Sequence, residues 1–241
     1  MRIDVFLTRN GYVESRTDAR RFVEAGTVKV GGKIITKPSF EVSEDTTDLT
    51  IDVSLKKYVS RGGLKLEAAL TEFGLAVSGK LALDIGASSG GFTDCLLQNG
   101  AAHVISVDSG SGQIATSLRS DSRVTVIEGY NARYMKTDDF EYMPEIAVMD
   151  VSFISATYII PAVYGVLSAG GDFICLIKPQ FEVGRAGLGK GGIVKDDKIR
   201  RAAVDGVIAS AVECGFECIK LITSPIKGGD GNIEYLAHFR K

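Results

Sequence analysis

The sequence lacks the segments that would place it in or across a membrane. Its 241 residues contain no apolar run that approaches the ~20 residues of a membrane span. The amino-terminal stretch MRIDVFLTRNGYVESR is charged throughout and has no long apolar core of the kind that signal peptides carry. We therefore expect a cytoplasmic protein without a membrane partner.

Cysteine spacings typical of metal or redox sites are also missing. Cys95, Cys175, Cys214 and Cys218 form no C-x-x-C pair, and two of them fall within apolar segments. Reduced, structural thiols and no metal site are the expectation. The chain is long enough for one medium domain and a small one, and its composition, 45% hydrophobic and 24% charged, is typical of globular proteins.

An excess of positive charge is absent overall, since the net charge is −2, but the charges are unevenly distributed. Residues 1–40 carry eight Lys and Arg against four Asp and Glu, whereas residues 41–55 carry five acids and no base. Lys56, Lys57 and Arg61 then begin a second basic cluster. A local basic surface matters more for phosphate binding than the total charge, so a nucleic-acid partner is not excluded.

The first 58 residues have the pattern of a small independent unit. A short helix should end at Gly11, and a second helix should begin at Ser15 with a capping residue and stop at Gly26. In VKV-GG-KII, Gly31 and Gly32 predict a tight hairpin, because its turn needs positive φ angles. Arg16, Arg20 and Arg21 are predicted on one side of the second helix, where they can follow a phosphate backbone or simply form a solvated face.

Residues 1–58 resemble an S4 RNA-binding domain. The matching positions are Arg2, Leu7, Ser15, Arg16, Ala19, Gly26, Val28, Val30, Gly32 and Lys33. The resemblance implies RNA contacts from the basic helix and hairpin. Together with a basic residue of the following segment, KKYVSR, the candidate contacts are Arg16, Arg20, Arg21, Lys29, Lys33 and Arg61. Residues 59–62 are predicted to link this domain to a second one, 63–241.

The second domain alternates helices and strands. GLKLEAALTEFG has helical spacing, and five apolar strands follow it: LALDI, HVISVD, VTVIEG, IAVMDV and DFICLIK. Helices are predicted near 91–99, 113–119 and 157–168, and a long helix precedes the last two strands, CIKLITS and EYLAHFR. This order predicts an α/β fold with a Rossmann-like, mostly parallel sheet. Because no helix separates the last two strands, the final strand should be antiparallel.

The stretch LALDIGASSGGFTD locates a candidate cofactor site. Asp84 ends the first strand and is followed by Gly86, Gly90 and Gly91, while Asp108 ends the second strand. The glycine spacing fits neither the dinucleotide fingerprint nor a phosphate-binding P-loop. An acid after the second strand is where Rossmann-like folds hold ribose hydroxyls, so we interpret the two acids as an S-adenosylmethionine site. An ordinary strand–loop–helix turn is the alternative.

Charged residues also end the later strands. Asp150 follows the fourth strand, Lys178 follows the fifth, and Glu234 begins the last. If the last strand is antiparallel, its beginning lies on the edge where the others end, and Lys65 on the preceding helix can fold over that edge. Two lysines and two acids would then converge, since charges at one sheet edge are costly unless they pair. Taken singly, each has an ordinary interpretation as a cap or a solvated loop residue.

This set resembles the Lys-Asp-Lys-Glu tetrad of RNA 2′-O-ribose methyltransferases of the FtsJ/RrmJ type. Ser88, Ser89 and Phe92 stand where that family usually has alanine, proline and tryptophan, and these departures match its TlyA branch, which is also labelled haemolysin-like. The supporting phrases, which span essentially the whole chain, are SRGGLKL, LDIGASSGGFTDCLLQ, VDSGSGQ, MDVSFIS, LIKPQFEVGR, GKGGIVKD and GGDGNIEYL. The resemblance implies a tetrad of Lys65, Asp150, Lys178 and Glu234. The candidate cofactor residues are Asp84, Gly86, Ser88, Gly90, Gly91, Phe92, Asp108 and Asn131.

The implied activity is methyl transfer from S-adenosylmethionine to a ribose 2′-hydroxyl of ribosomal RNA, with cytidine as the expected nucleotide. Lys178 is the candidate for removing the hydroxyl proton or stabilising the alkoxide; Asp150 and Glu234 would orient the lysines. Phe153 can stack a flipped base or be a core residue. The glycine- and lysine-rich segment 187–196 can be a mobile loop over the site or a surface connection.

Three other classes of function stay open at this point. The first is a non-catalytic RNA-binding protein on a methyltransferase scaffold, against which the intact tetrad argues. The second is a membrane-lytic haemolysin, which needs an amphipathic or spanning segment; the predicted helix at 196–215 has an apolar side, but a core-facing helix explains it more simply. The third is a small-molecule methyltransferase, which would not need the first 58 residues.

Overall fold

The computed structural model describes residues 1–13, 15–24, 26–51, 57–184, 187–228 and 231–241, and of Arg21 the backbone alone. Within these residues the chain divides into two compact units, Met1–Arg61 and Gly62–Lys241. Each unit has its own hydrophobic core.

The first unit packs two helices on a small sheet. Helices α1 (Ile3–Arg9) and α2 (Arg16–Glu24) precede strands β1 (Val28–Val30), β2 (Lys33–Ile35) and β3 (Leu49–Ile51). As predicted, Gly31 and Gly32 have positive φ angles in the turn between β1 and β2, which pair antiparallel. The Ser15 hydroxyl accepts a hydrogen bond from the Asp18 amide (3.0 Å), which confirms the cap of α2. Strand β3, which pairs with β1, was not predicted.

The second unit alternates helices and strands as expected. Its helices are α3 (Gly62–Phe73), α4 (Gly91–Gln98), α5 (Thr116–Arg119), α6 (Ile160–Val166), α7 (Pro179–Glu182) and α8 (Asp197–Glu213). Its strands are β4 (Leu81–Ile85), β5 (His103–Val107), β6 (Val124–Ile127), β7 (Ile146–Met149), β8 (Asp172–Ile177), β9 (Glu217–Thr223) and β10 (Tyr235–Arg240). All seven predicted strands are present, and α7 is an element that the pattern did not reveal.

The seven strands form one sheet in the order β6-β5-β4-β7-β8-β10-β9. Strands β4 to β8 pair in parallel, whereas β10 is antiparallel to both β8 and β9, which confirms the predicted direction of the last strand. Because β10 lies next to β8 and runs antiparallel to it, the first residue of β10 lies beside the last residue of β8. Tyr235 pairs with Ile177 in that register.

The core of the second unit explains why its central strands are almost entirely apolar. Every residue of β7 and β8 is buried, as a parallel sheet covered on both faces requires. Asp172 at the start of β8 is the one charged residue in these two strands, and its carboxylate contacts Lys80, His238 and Arg240. Polar residues otherwise follow the strands at their carboxyl ends, where the candidate site lies.

Candidate active site

A cleft of about 540 Å³ lies at the carboxyl ends of β4, β5, β6 and β7. The walls come from the four segments that follow these strands. The lining residues are Gly86, Ser88, Val107, Asp108, Ser109, Gly110, Gln113, Tyr130, Asn131, Ala132, Asp150, Val151, Ser152, Phe153, Ile154 and Ile159. This is the edge at which open α/β sheets bind ligands.

The turn after β4 is shaped by two glycines with positive φ angles and close neighbours. Gly86 has φ +81°, and a Cβ atom there would lie 2.5 Å from the carbonyl oxygen of Asp150. Gly90 has φ +94°, and a Cβ atom there would lie 2.2 Å from Leu118 Cδ1. The loop therefore packs directly on its neighbours, and its backbone is open to the cleft at Gly86.

Asp108 organises the second wall of the cleft. One of its carboxylate oxygens accepts a hydrogen bond from the Ser88 amide at 2.7 Å, and the other accepts one from the Gly110 amide at 2.7 Å. The same carboxylate lines the cleft. It thus joins the turn after β4 to the turn after β5 and presents acceptor oxygens to a ligand.

Asp84 differs from Asp108 because it is fully buried and does not line the cleft. The Thr93 hydroxyl donates to it at 2.6 Å and also lies 2.7 Å from the Ser106 hydroxyl. The pKa of Asp84 is raised to about 7, chiefly by burial; the carboxylates of Asp150 and Asp108 add to the increase, and the hydrogen bond from Thr93 opposes it. Asp84 is therefore held by Thr93 outside the cleft, and its part in cofactor binding stays a prediction.

The first pair of the predicted tetrad joins residues 169 positions apart. Lys65 Nζ in α3 lies 2.5 Å from a carboxylate oxygen of Glu234, which directly precedes β10. Both residues are buried. Gly228 leaves room for this carboxylate, because a Cβ atom there would lie 2.5 Å from Glu234 Oε1.

The second pair joins the ends of β7 and β8. Lys178 Nζ lies 2.5 Å from Asp150 Oδ1 and donates a hydrogen bond to the Ser152 hydroxyl at 2.8 Å. The side chain of Lys178 is only 11% exposed. Two contacts from the segment after β7 thus fix the position of its ammonium group.

Strand register brings the two pairs to one edge of the sheet. Since Tyr235 pairs with Ile177, Glu234 and Lys178 are the next residues along the same antiparallel register. Asp150 follows Met149, which pairs with Cys175 on β8. Asp150, Lys178 and Glu234 therefore occupy adjacent strand ends. Lys65 reaches Glu234 from α3, so the four residues form two lysine–carboxylate pairs.

Phe153 is 93% exposed, so the interpretation of this residue as part of the core is wrong. Its φ angle of +65° is unusual for a bulky side chain and marks a constrained backbone. The Phe181 ring lies 5.2 Å away between centroids, and Lys178 Nζ lies 5.9 Å from the centre of that second ring. An aromatic pair, with the Phe153 ring exposed and the Phe181 ring half-buried, thus lies beside the lysine at the rim of the cleft.

The structure separates the predicted cofactor residues into two groups. Gly86, Ser88, Asp108 and Asn131 line the cleft. The other four predicted residues, which do not line it, are Asp84, Gly90, Gly91 and Phe92. Phe92 is 3% exposed and lies on the buried side of α4, so its part in cofactor binding stays a prediction.

The predicted RNA contacts lie on the elements expected of them. Arg16 and Arg20 are exposed on α2, but Arg16 Nε also donates to the buried carboxylate of Asp4 at 3.1 Å. Lys29 and Lys33 are exposed on the hairpin, and Arg61 is half-buried at the end of the first unit. The side chain of Arg21 lies outside the described residues.

Several residues of the site escaped sequence reasoning. Gln113 accepts a hydrogen bond from the Ser88 hydroxyl at 3.1 Å, Ser152 accepts one from Lys178, and Glu182 binds the segment after β7. Ser152 and Glu182 lie within the phrases MDVSFIS and LIKPQFEVGR, so their proximity to Asp150 and Lys178 was the available signal.

The segment 187–196 is anchored next to the tetrad. The buried Val194 amide donates to Asn232 Oδ1 at 3.0 Å, and the Asn232 amide group donates to the Gly192 carbonyl at 3.1 Å. Asn232 is itself two residues from Glu234. The expected mobility of this segment stays a prediction.

Strand order, the antiparallel seventh strand and the cleft define a Rossmann-like methyltransferase. A family model described as FtsJ-like methyltransferase matches residues 58–241, and one described as S4 domain matches residues 1–48. The chain belongs to the FtsJ-like methyltransferase family, in the branch that carries an S4 domain.

Three similar proteins cover nearly the whole chain. Hemolysin A of Brachyspira hyodysenteriae is 45% identical over 99% of this chain and 99% of its own length. The 16S/23S rRNA (cytidine-2′-O)-methyltransferase TlyA of Mycobacterium tuberculosis is 42% identical over 99% of this chain and 89% of its own. A solved structure of a "putative hemolysin" from Streptococcus thermophilus is 46% identical, covers 100% of this chain and 88% of its own, and superposes with a TM-score of 0.80.

Proposed function

We propose that the protein methylates a ribose 2′-hydroxyl of cytidine in ribosomal RNA, with S-adenosylmethionine as the methyl donor. The observation that carries this proposal is the two lysine–carboxylate pairs, Lys65–Glu234 and Lys178–Asp150, at the edge of the sheet where the cleft lies. The TlyA protein of Mycobacterium tuberculosis, which is similar over nearly the full length of this chain, is named for this activity. Such a substrate implies that the protein works in the cytoplasm, on rRNA or on ribosomal subunits.

The residues of the cleft fit this donor. The carboxylate of Asp108 can accept hydrogen bonds from ribose hydroxyls, and Gly86 allows close approach to the backbone. Ser88 and Asn131 add polar groups to the same walls. When bound, S-adenosylmethionine supplies a methyl group that already carries its sulfonium leaving group.

The chain itself has to orient the acceptor ribose and manage its proton. Lys178 Nζ is fixed by Asp150 and Ser152 at the end of β8, where it can hydrogen-bond the 2′-oxygen and stabilise the negative charge that develops there. Asp150 orients Lys178, and Glu234 orients Lys65. In this division of roles, Lys65 positions the ribose or its phosphate.

Phe153 is proposed to hold the base of the acceptor nucleotide. A base that leaves its stack can be stabilised on an exposed aromatic ring, and such stacking contributes about 1–3 kcal/mol per base. The exposure of Phe153 and its position at the rim of the cleft support this role.

The amino-terminal unit is proposed to supply RNA affinity. We assign residues 1–58 to an S4-like domain, 59–62 to a linker and 63–241 to the methyltransferase domain, and we propose contacts from Arg16, Arg20, Arg21, Lys29, Lys33 and Arg61. Removal of residues 1–58 should then greatly reduce methylation of rRNA and weaken the salt dependence of binding. Unchanged activity would favour a small-molecule substrate instead.

The test is methyl transfer from radiolabelled S-adenosylmethionine to ribosomal RNA, followed by mapping of 2′-O-methylated positions. Lys178→Ala should abolish transfer while S-adenosylmethionine still binds in a calorimetric titration. Near-normal turnover of this variant would exclude the role given to Lys178. Absence of donor binding by the unmodified protein would favour an RNA-binding protein without catalysis.

Similar proteins that bear the name hemolysin make membrane lysis a second activity to test. In the part of the chain that the structure describes, no helix is both long and apolar enough to cross a membrane. Release of dye from liposomes at low protein concentration would support lysis. Intact liposomes beside active methyl transfer would leave methylation as the activity.

A further inference from the structure

The segment after β7 and the segment after β8 are tied together at two places. One tie is at their beginnings, where Lys178 contacts Asp150 and Ser152. The other is at their ends and is made by Glu182, the last residue of α7. The role of this second tie is not explained by the tetrad, which needs only the first.

Glu182 uses both of its carboxylate oxygens. Oε1 accepts a hydrogen bond from the Ala156 amide at 2.9 Å, and Oε2 accepts one from the Ser155 hydroxyl at 2.5 Å. The Ser155 hydroxyl also lies 2.7 Å from the Thr157 hydroxyl. Burial raises the pKa of Glu182, and these two hydrogen bonds lower it. The carboxylate is thus half-buried and bound to a turn, rather than solvated at the surface.

The aromatic pair lies between the two ties. Phe153 is three residues after Asp150 and two before Ser155, and Phe181 is three residues after Lys178 and directly before Glu182. Their ring centroids are 5.2 Å apart. An exposed ring with a positive φ angle keeps one position only if the surrounding chain fixes it, because neither burial nor a relaxed backbone does so.

We infer that Glu182 is a positioning residue that fixes Phe153 against Phe181, and so sets where the acceptor base lies relative to Lys178. The assignment rests on the proposed function for its substrate, the acceptor nucleotide of an RNA. Its structural part is that Glu182 holds the segment after β7 in place, and this part rests only on the hydrogen bonds to Ser155 and Ala156. Glu182 itself touches neither donor nor acceptor in this role.

The consequence is a specific pattern of kinetic effects. Loss of the carboxylate would free the turn at Ser155 and Ala156, and Phe153 would sample several positions. A base held less accurately slows transfer, so kcat/KM for rRNA should fall at least about tenfold in Glu182→Ala, which corresponds to 1.36 kcal/mol. Binding of S-adenosylmethionine should not change, because the residues assigned to the donor lie on other segments than the one that Glu182 binds.

Two further variants separate positioning from general stability. Glu182→Gln keeps an acceptor for the Ala156 amide and can donate to the Ser155 hydroxyl, so its kcat/KM should stay within about threefold of the unmodified protein. Glu145→Ala is the matched control, since Glu145 accepts a hydrogen bond from the Leu81 amide at 3.0 Å at the other end of the sheet. Because Glu145 is exposed and loses one hydrogen bond, any fall in its thermal midpoint should come without loss of kcat/KM.

A fluorescence experiment tests the structural part without any substrate. The chain contains no tryptophan, so Phe153→Trp introduces a single indole at the position in question. The indole anisotropy should fall when Glu182→Ala is added and should recover with Glu182→Gln. Unchanged anisotropy in Phe153→Trp/Glu182→Ala would overturn the inference.

The two kinds of failure are distinguishable. If the unmodified protein does not methylate rRNA, the proposed function fails, while the anisotropy still decides whether Glu182 fixes position 153. If methylation is present and Glu182→Ala keeps kcat/KM within about twofold, the positioning role is wrong. Loss of S-adenosylmethionine affinity in parallel with kcat/KM would also overturn it, because that result indicates general damage to the domain.

Discussion

A carboxylate oxygen of Glu234 accepts a hydrogen bond from Lys65 Nζ at 2.5 Å, although the two residues are 169 positions apart in the chain. The contact exists because β10 runs antiparallel between β8 and β9 and therefore begins at the edge where the parallel strands end. Both partners are buried, so each charge depends on the other for its neutralisation. Replacement of one partner should therefore destabilise the fold more than replacement of both partners together.

We expect Lys65→Met and Glu234→Gln each to lower the free energy of unfolding by about 3–5 kcal/mol, because each leaves the other charge of the pair buried without its partner. The double variant should be less destabilised than the sum of the two single variants. Urea unfolding of the four proteins measures this coupling. The exposed pair Arg119–Glu128 (2.7 Å) is the control, for which coupling should stay below about 1 kcal/mol. Additive effects at Lys65 and Glu234 would contradict the expectation.

Much of this arrangement could be predicted because strand ends carry strong sequence signals. Apolar runs located β4 to β8, and the lack of a helix between β9 and β10 gave the direction of the last strand, so the tetrad followed from topology. The glycine-rich stretch after β4 likewise predicted the position of the cleft, where Gly86 has the positive φ angle that glycine allows.

Other features depend on packing that has no local signature. Phe92 and Phe153 both follow loop motifs, yet the Phe92 ring is on the buried side of α4 and the Phe153 ring is exposed to solvent. The three residues of β3 form a strand only because β1 offers a free edge. Glu182 gains its partners from a segment 26 residues earlier, and Asp84 lies beneath its loop rather than in the cleft.

Gly86→Ala should reduce both stability and donor affinity. The added Cβ atom would meet the Asp150 carbonyl at 2.5 Å, so the loop or the end of β7 has to move. Gly79→Ala is the control, because Gly79 has a similar φ of +77° but no atom within 4 Å of the added carbon. The control should cost about 1–3 kcal/mol from its φ angle alone and leave binding of S-adenosylmethionine intact. Equal effects of the two variants in thermal unfolding and calorimetry would argue against a shape requirement at Gly86.

Asp84 should make stability fall as the pH rises. Its folded pKa of about 7 lies above the unfolded value of 3.8, so the folded state holds a proton that the unfolded state has lost between these values. The contribution of Asp84 to stability is therefore largest below pH 4, decreases up to about pH 7 and is constant above it. Asp84→Asn removes this dependence, and its advantage at pH 8 should reach up to about 4 kcal/mol. Urea unfolding at several pH values, without ligand, measures it; parallel curves for the two proteins would contradict the prediction.

Arg16 and Arg20 should behave differently although both are predicted RNA contacts on α2. Arg16 holds the carboxylate of Asp4, which is 0% exposed; burial raises the pKa of Asp4, but the hydrogen bonds from Arg2 and Arg16 bring it below its usual value. Arg16→Ala should therefore lower the thermal midpoint as well as RNA affinity. Arg20→Ala should leave the midpoint unchanged and reduce the slope of log K against log salt by about one, as expected for one lost phosphate contact. Filter binding of rRNA fragments at several salt concentrations gives this slope. An unchanged slope in Arg20→Ala would show that Arg20 contacts no phosphate, and loss of affinity in Arg16→Ala would then follow from destabilisation of the first unit.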